Sequence, residues 1–313
     1  NYQGSVFLGE NKTPEKKYHF SFRGRNDHRV ENARSIRDKQ FLYVRDFIPF
    51  VPRGQYLDYQ WKIPLQRAWE EEYKAGRTND VTGRFFKVKS KEELYDVSRD
   101  PYCINDLAQN PEYEDVLKNL SQQLTDQQVK LKDAGLIPET ELLRRVKQNN
   151  TTPYDLIQKK ELYDVQAYMS AAGIALEQDV GYRDELVQMT EHADSGVRYW
   201  GVTGLFMIRD QLDGINAQFE KLLKDDSHNV RAMAAWALID VSQSKLPYDC
   251  MRDLIQSNSY AMLEIINIVD WMAELGKPLV PEFSKVKFKD KQFSIFYKYM
   301  MNGMAPLKVK KKK

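Results

Sequence analysis

The sequence predicts an α+β region over residues 1–148, a small antiparallel sheet with packed helices, followed by an all-α repeat region with a basic tail over residues 149–313. Three observations lead there: aromatic residues alternate early in the chain, helical spacing takes over from Asn110, and a helix pair repeats itself in the last third.

The alternation is in KYHFSFR, where Tyr18, Phe20 and Phe22 fall two residues apart and share one face of a strand. QFLYVRDFIPFVP is a second strand candidate, ended by Pro49 and Pro52, which cannot donate to a ladder. The residues between these strands read as a polar connection. Trp61, Leu65 and Trp69 then switch to a spacing of four, with Pro64 tolerable in a first turn and Gly76 placed to end the helix. FFKVKSKEELYDV returns to extended structure.

Asn110 before Pro111 is a helix start, because the Asn side chain accepts from first-turn amides and Pro lacks the amide left over there. Leu117, Leu120, Leu124 and Leu131 make the apolar stripe of that helix. NNTTPYD, residues 149–155, is polar and turn-rich and reads as the linker.

In the repeat, SGVRYWGVTGLFMI from Ser195 superposes on HNVRAMAAWALIDV from His228 at an offset of 33 residues. Val197 meets Val230, Gly201 meets Ala234, Gly204 meets Ala237 and Leu205 meets Leu238. Small residues therefore recur where helices must approach. Each segment follows a helix candidate, and CMRDLIQSN with YAMLEIINIVDWMAELG continues the stack. The unit resembles HEAT-like repeats, although its offset is shorter than their roughly 40 to 47 residues. It equals the ankyrin period, but the T-P-L-H signature is missing.

Composition narrows the function. Lys and Arg number 47 against 45 Asp and Glu, so there is no global charge to attract nucleic acid, and no apolar run approaches a membrane span. Lys308, Lys310, Lys311, Lys312 and Lys313 read as a solvated tail. Cys103 and Cys250 stand far apart and outside any metal or redox spacing. Asn1 is not a methionine, and the opening residues carry no signal peptide, so a targeting segment is expected upstream.

ELYDVSRDPYCINDLAQNPEY, from Glu93 to Tyr113, resembles the segment that closes the catalytic module of many sulfatases, written E-L-Y-D-L, two residues, D-P, then N-L-A. Glu93, Leu94, Tyr95, Asp96, Asp100, Pro101, Leu107 and Ala108 match; Cys103 and Asp106 depart from it. FRGRNDHRVENARSIRD is similar to the sulfatase stretch F-R-D-R-M-D-E-R leading to V-R-S-V-R-D, through Arg23, Arg25, Asp27, Arg29, Arg34, Ser35, Arg37 and Asp38. EYKAGRTNDVTGRFF is similar to the family's A-G-K-L-N connection, so the resemblance covers roughly residues 1–135.

The resemblance implies the C-terminal region of a formylglycine-dependent sulfatase of the arylsulfatase or sulfoglucosamine sulfohydrolase type. The parent would hydrolyse sulfate esters or sulfamates, of heparan-type or other glycosaminoglycan sugars. The formylglycine nucleophile and a calcium ion would belong to an upstream catalytic domain, the partner of this region. Neither cysteine lies in the C/S-x-P-x-R motif, so this segment alone is expected to be inactive, with no catalytic or metal residue. A sulfated saccharide would be the substrate, and secretion or a periplasmic location is implied ahead of a lysosomal one.

Arg25, Asn26, Asp27, His28 and Arg34 are the candidate substrate-binding residues, since a guanidinium pairs bidentately with sulfate or carboxylate and an imidazole can donate to either. The competing reading pairs these arginines with Asp27, Glu31 and Asp38 in a structural network. His192 and His228 read as connection residues, Trp200, Trp236 and Trp271 as core, and Glu70, Glu71 and Glu72 as a solvated face. A second function class stays open: a non-catalytic HEAT-repeat module that binds a protein.

Overall fold

The chain is described by a computed structural model over residues 5–288 and 291–304. The lysines from Lys308 onward lie outside the described residues.

Strands β1 (His19–Asn26), β2 (Arg29–Arg37), β3 (Phe41–Asp46) and β4 (Glu92–Asp96) form one antiparallel sheet in that order. The expected polar connection is thus a correction: most of it is β2, and only Asp27 and His28 remain as a tight turn between Asn26 and Arg29. Asp27 adopts the left-handed conformation, φ 51°, which a short polar side chain tolerates. The strand was hidden because its pairing with β1 slips, Arg23 opposing Ala33 but Arg25 opposing Val30, so β2 holds one extra residue. Arg29 and Glu31 are buried before the bulge and Arg34 and Ile36 after it, which breaks the period of two. Three of those four are charged.

Between β3 and β4 the chain makes an excursion with α1 (Asp58–Trp61), α2 (Pro64–Lys74) and α3 (Asp80–Gly83). Pro64 opens α2, and Gly76, at φ 68°, follows its end as the sequence predicts. Arg84–Phe86 is a 3-10 turn, not extended chain, because Phe85 and Phe86 turn back onto Trp69, with Phe85 stacked 4.8 Å from it. Glu70 accepts from the Trp61 indole and Glu72 pairs with Arg77, so these carboxylates do separate work.

Asn110 caps a short 3-10 turn that leads into α4 (Glu114–Leu131). Leu120 and Leu124 from α4 meet Ile36, Tyr43 and Leu94 in one core beneath the sheet. Leu131 is largely exposed at the helix end, outside that core.

The rest is helical: α5 (Glu139–Gln148), α6 (Pro153–Gln158), α7 (Val165–Glu177), α8 (Arg183–Met189), α9 (Ser195–Ile208), α10 (Asn216–Leu222), α11 (His228–Val241), α12 (Leu246–Gln256), α13 (Met262–Trp271), α14 (Val280–Phe283) and α15 (Lys291–Met304). At the expected linker, Thr152 caps α6 and Pro153 occupies its first turn. Side chains from both sides of residue 148 share one core, which includes Leu142 of α5 and Phe47 beyond β3.

α9 packs on α8 and α11, and α11 on α10, α12 and α13. Val197, Leu205, Val230 and Leu238 are all buried. A methyl group on Gly201 would stand 2.8 Å from the Thr190 amide nitrogen, and one on Gly204 would stand 2.3 Å from Leu186 Cδ2. Glycine there lets α8 lie against α9. Trp200 and Trp236 are core, while Trp271 is half-buried and donates to Gln55 across to the excursion.

Candidate functional site

Two features meet where the sheet joins the helices: the β1–β2 turn and a cavity of about 440 Å³ under those strands. The turn is held from below. Asn267, buried in α13, donates to the His28 carbonyl, and Arg29 reaches Asp270 at 2.6 Å and the Tyr56 carbonyl at 2.7 Å. Anchoring the turn on a helix fixes its direction.

The candidate residues divide by burial. Arg25 forks onto Glu139 of α5 at 2.8 and 3.1 Å and donates to the Asp27 carbonyl, with a third of its side chain exposed. Asn26 accepts from the Tyr59 hydroxyl, and Asp27 is one-third exposed. His28 is fully buried beneath Phe296 and Tyr299 of α15. Neither of its ring nitrogens has a hydrogen-bond partner among the described residues, and Asp27 stands 3.6 Å away. Burial, reinforced by the charge of Arg29, pushes its imidazole down to about 4, so it is neutral at physiological pH.

Arg34 is 3% exposed and forks onto Asp133 at 2.6 and 2.8 Å, while Asn32 accepts from it as well. Gly135 makes room: a methyl group there would stand 1.9 Å from the Arg34 Nη2. Burial alone would raise the Asp133 carboxyl, but the Arg34 guanidinium holds it below its ordinary value. Arg34 therefore has no free donor edge facing solvent. Glu31, also buried, accepts from Lys89 at 2.8 Å, and Lys89 reaches Asp46 at 3.0 Å. Of the suggested partners Asp27, Glu31 and Asp38, Glu31 pairs with Arg23 at 2.8 Å, while Arg25 and Arg34 find theirs in Glu139 and Asp133, far along the chain.

The cavity has apolar walls of Phe20, Phe22, Leu136, Ile137, Leu142 and Trp200, with Arg25 and Arg34 at its edge. Glu264 of α13 lines it too and was missed by sequence reasoning. The signal was present: Glu264 is the one carboxylate inside the run AMLEIINIV. Burial pushes its carboxyl up to about 7, against a hydrogen bond of 2.6 Å from Thr140. Asn229 in turn donates to Thr140.

Cys250 is buried with its thiol pushed up by that burial, and Cys103 is likewise pushed up, which disfavours the reactive thiolate. Among the described residues no group of three or more His, Cys, Asp or Glu side chains could hold a metal ion. His192 sits in a helix connection, as the sequence suggests, and accepts from the Asp194 amide, whereas His228 is the first residue of α11, where it is half-buried and stacks on Tyr260.

No protein-family model matches the chain. Over 155 residues, 48% of its length, it is 34% identical to an ulvan-active sulfatase of Formosa agariphila. That stretch is 26% of the relative, so the chain spans about a quarter of the protein it matches. About half of the chain is therefore sulfatase-like in sequence, and its small antiparallel sheet with packed helices is an α+β fold. No helix among the described residues is long and apolar enough to cross a membrane.

Proposed function

We propose that this chain is the C-terminal region of a sulfatase that cleaves sulfate esters or sulfamates on a sulfated saccharide, and that it supplies substrate-facing and structural elements rather than the nucleophile. The observation that carries the reading is the 34% identity to an ulvan-active sulfatase over 155 residues. The relative's name makes a sulfated polysaccharide of the ulvan kind the first substrate to try, ahead of the glycosaminoglycans. Formylglycine and calcium belong, in this reading, to an upstream catalytic domain, and the protein is secreted or periplasmic. The helices from α8 to α13 form a HEAT-like stack that extends the sheet region.

Within this role Arg25, Asn26 and Asp27 face the saccharide at the tip of the hairpin. His28 and Arg34 set their position from below, through the buried turn and the Asp133 pair. A guanidinium at the tip can exchange part of its fork on Glu139 for a sulfate or carboxylate oxygen.

The test is sulfate release from ulvan and from a glycosaminoglycan, by the longer protein and by this chain alone. Release by the longer protein only is expected, with Arg25→Ala in that protein lowering kcat/KM by roughly 10-fold to 150-fold. Turnover by the isolated chain, or a longer protein inert on every sulfated saccharide, overturns the reading. The second outcome would favour the non-catalytic binding module.

A further inference from the structure

The cavity under β1 and β2 has a chemistry of its own that sulfate recognition does not use. Its walls carry four carboxylates, Glu31, Asp133, Glu139 and Glu264, against two guanidiniums, Arg25 and Arg34. Five of these six are already matched. Arg25 holds Glu139, Arg34 holds Asp133, and Glu31 is held by Arg23 and Lys89. Glu264 alone has no cation within ion-pair distance among the described residues, although its residue is only 7% exposed. A buried carboxylate is costly without a counter-charge, and burying one beside an open space leaves room for that charge to come from outside.

We propose that this cavity binds a small organic cation, an amine on an apolar body, with Glu264 as its counter-ion. Phe20, Leu136, Ile137, Leu142 and Trp200 would take the apolar body, and about 440 Å³ suits one ring with a short chain. Tyr199 and Trp200 add ring faces that attract a cation electrostatically. The Asn229 to Thr140 to Glu264 chain of hydrogen bonds fixes the carboxyl from behind, 3.1 and 2.6 Å long. An anion beside Glu264 is disfavoured, because it would meet a carboxyl there and the buried Arg34 is forked on Asp133 and would have to leave it.

The groups facing Glu264 are Glu139 and Thr140 on α5, Tyr199 on α9, and Asn229 behind Thr140 on α11. None is a cation. Without ligand the carboxyl is therefore held protonated up to about pH 7, burial being the main cause. An ammonium ligand binds the ionised form, so binding at pH 6 must release a proton from Glu264 and is weaker than at pH 8.

The experiment is isothermal titration calorimetry of this chain with 2-phenylethylamine, alongside 2-phenylethanol and 3-phenylpropionate as neutral and anionic counterparts. The amine is expected to bind at least tenfold more tightly than either counterpart, and more tightly at pH 8 than at pH 6. Titrations in two buffers of different ionisation heat should read proton release at pH 6. Glu264→Gln keeps the shape of the side chain and should lose at least tenfold in amine affinity while leaving the alcohol unchanged. Equal binding of amine and alcohol, tighter binding of the propionate, no binding by the amine, or proton uptake in place of release overturns the proposal. Proton exchange is read on the unaltered protein, so the result stands even where the variant fails to fold. Sulfate release is not measured, and failure here leaves the sulfatase reading untouched.

Discussion

The sheet and the helical region both pair most of the charges they bury, and Glu264 of α13 is the exception. Under the sheet, Arg34 meets Asp133, and Lys89 meets both Glu31 and Asp46, so each buried charge stands against another. The helical region pairs its buried charges too, Arg145 with Glu141 and Asp194, and Arg198 with Asp225, but in α13 Glu264 stands among apolar side chains with a hydrogen bond from Thr140 and no cation beside it. The paired charges depend on partners contributed from other segments, whereas the helices around Glu264 depend on fitting small residues under large ones. A paired charge is fixed by its partner. Glu264 is controlled by its proton.

That contrast can be broken experimentally, and the largest effect belongs to the sheet. Arg34→Ala leaves Asp133 buried with its main partner gone and should cost about 3 to 5 kcal/mol in chemical denaturation. A loss below about 1 kcal/mol would mean that water reaches Asp133 and that the pair is ornamental. In the stack, Leu238→Ala should cost about 2 to 5 kcal/mol, because a fully buried side chain between α11 and its neighbours leaves a cavity. Arg25→Ala should cost under about 1 kcal/mol, since the Glu139 fork is partly solvated and screened. Its thermal midpoint should accordingly move little, even where catalytic efficiency of the longer protein falls.

The same contrast explains what the sequence reveals. The packing of α8 on α9 was legible because Gly201 and Gly204 answer a local need for the two helices to approach. The cap at Asn110 is likewise local and stands where the sequence places it, whereas Thr152 and Pro153, which read as linker, open α6. Strand β2 was not legible. Its buried face holds Arg29, Glu31 and Arg34, whose burial depends on Asp270, Lys89 and Asp133, and the bulge resets its period midway. Sequence patterning identifies apolar faces, and it has no means of seeing a charged face whose neutralising partners arrive from elsewhere in the chain.

The candidate site follows the same rule. The hairpin arginines were visible as a cluster, but their partners Glu139 and Asp133 lie about a hundred residues away, and the burial of His28 comes from α15. Glu264 was readable as one carboxylate in an apolar run, a pattern that marks either a helix face in error or a functional group.

The most direct test of the contrast is the unfolding free energy of the unaltered chain and of Glu264→Gln, measured across pH 4 to 8. A carboxyl raised from its ordinary value of 4.5 to about 7 contributes stability that is complete below pH 4.5 and is lost as pH rises through 7. Glutamine does not titrate, so the variant should gain about 3 kcal/mol relative to the unaltered chain between those limits. A difference that stays constant with pH would show that Glu264 ionises at its ordinary value in the folded chain, and the account of a proton-controlled carboxyl would fail.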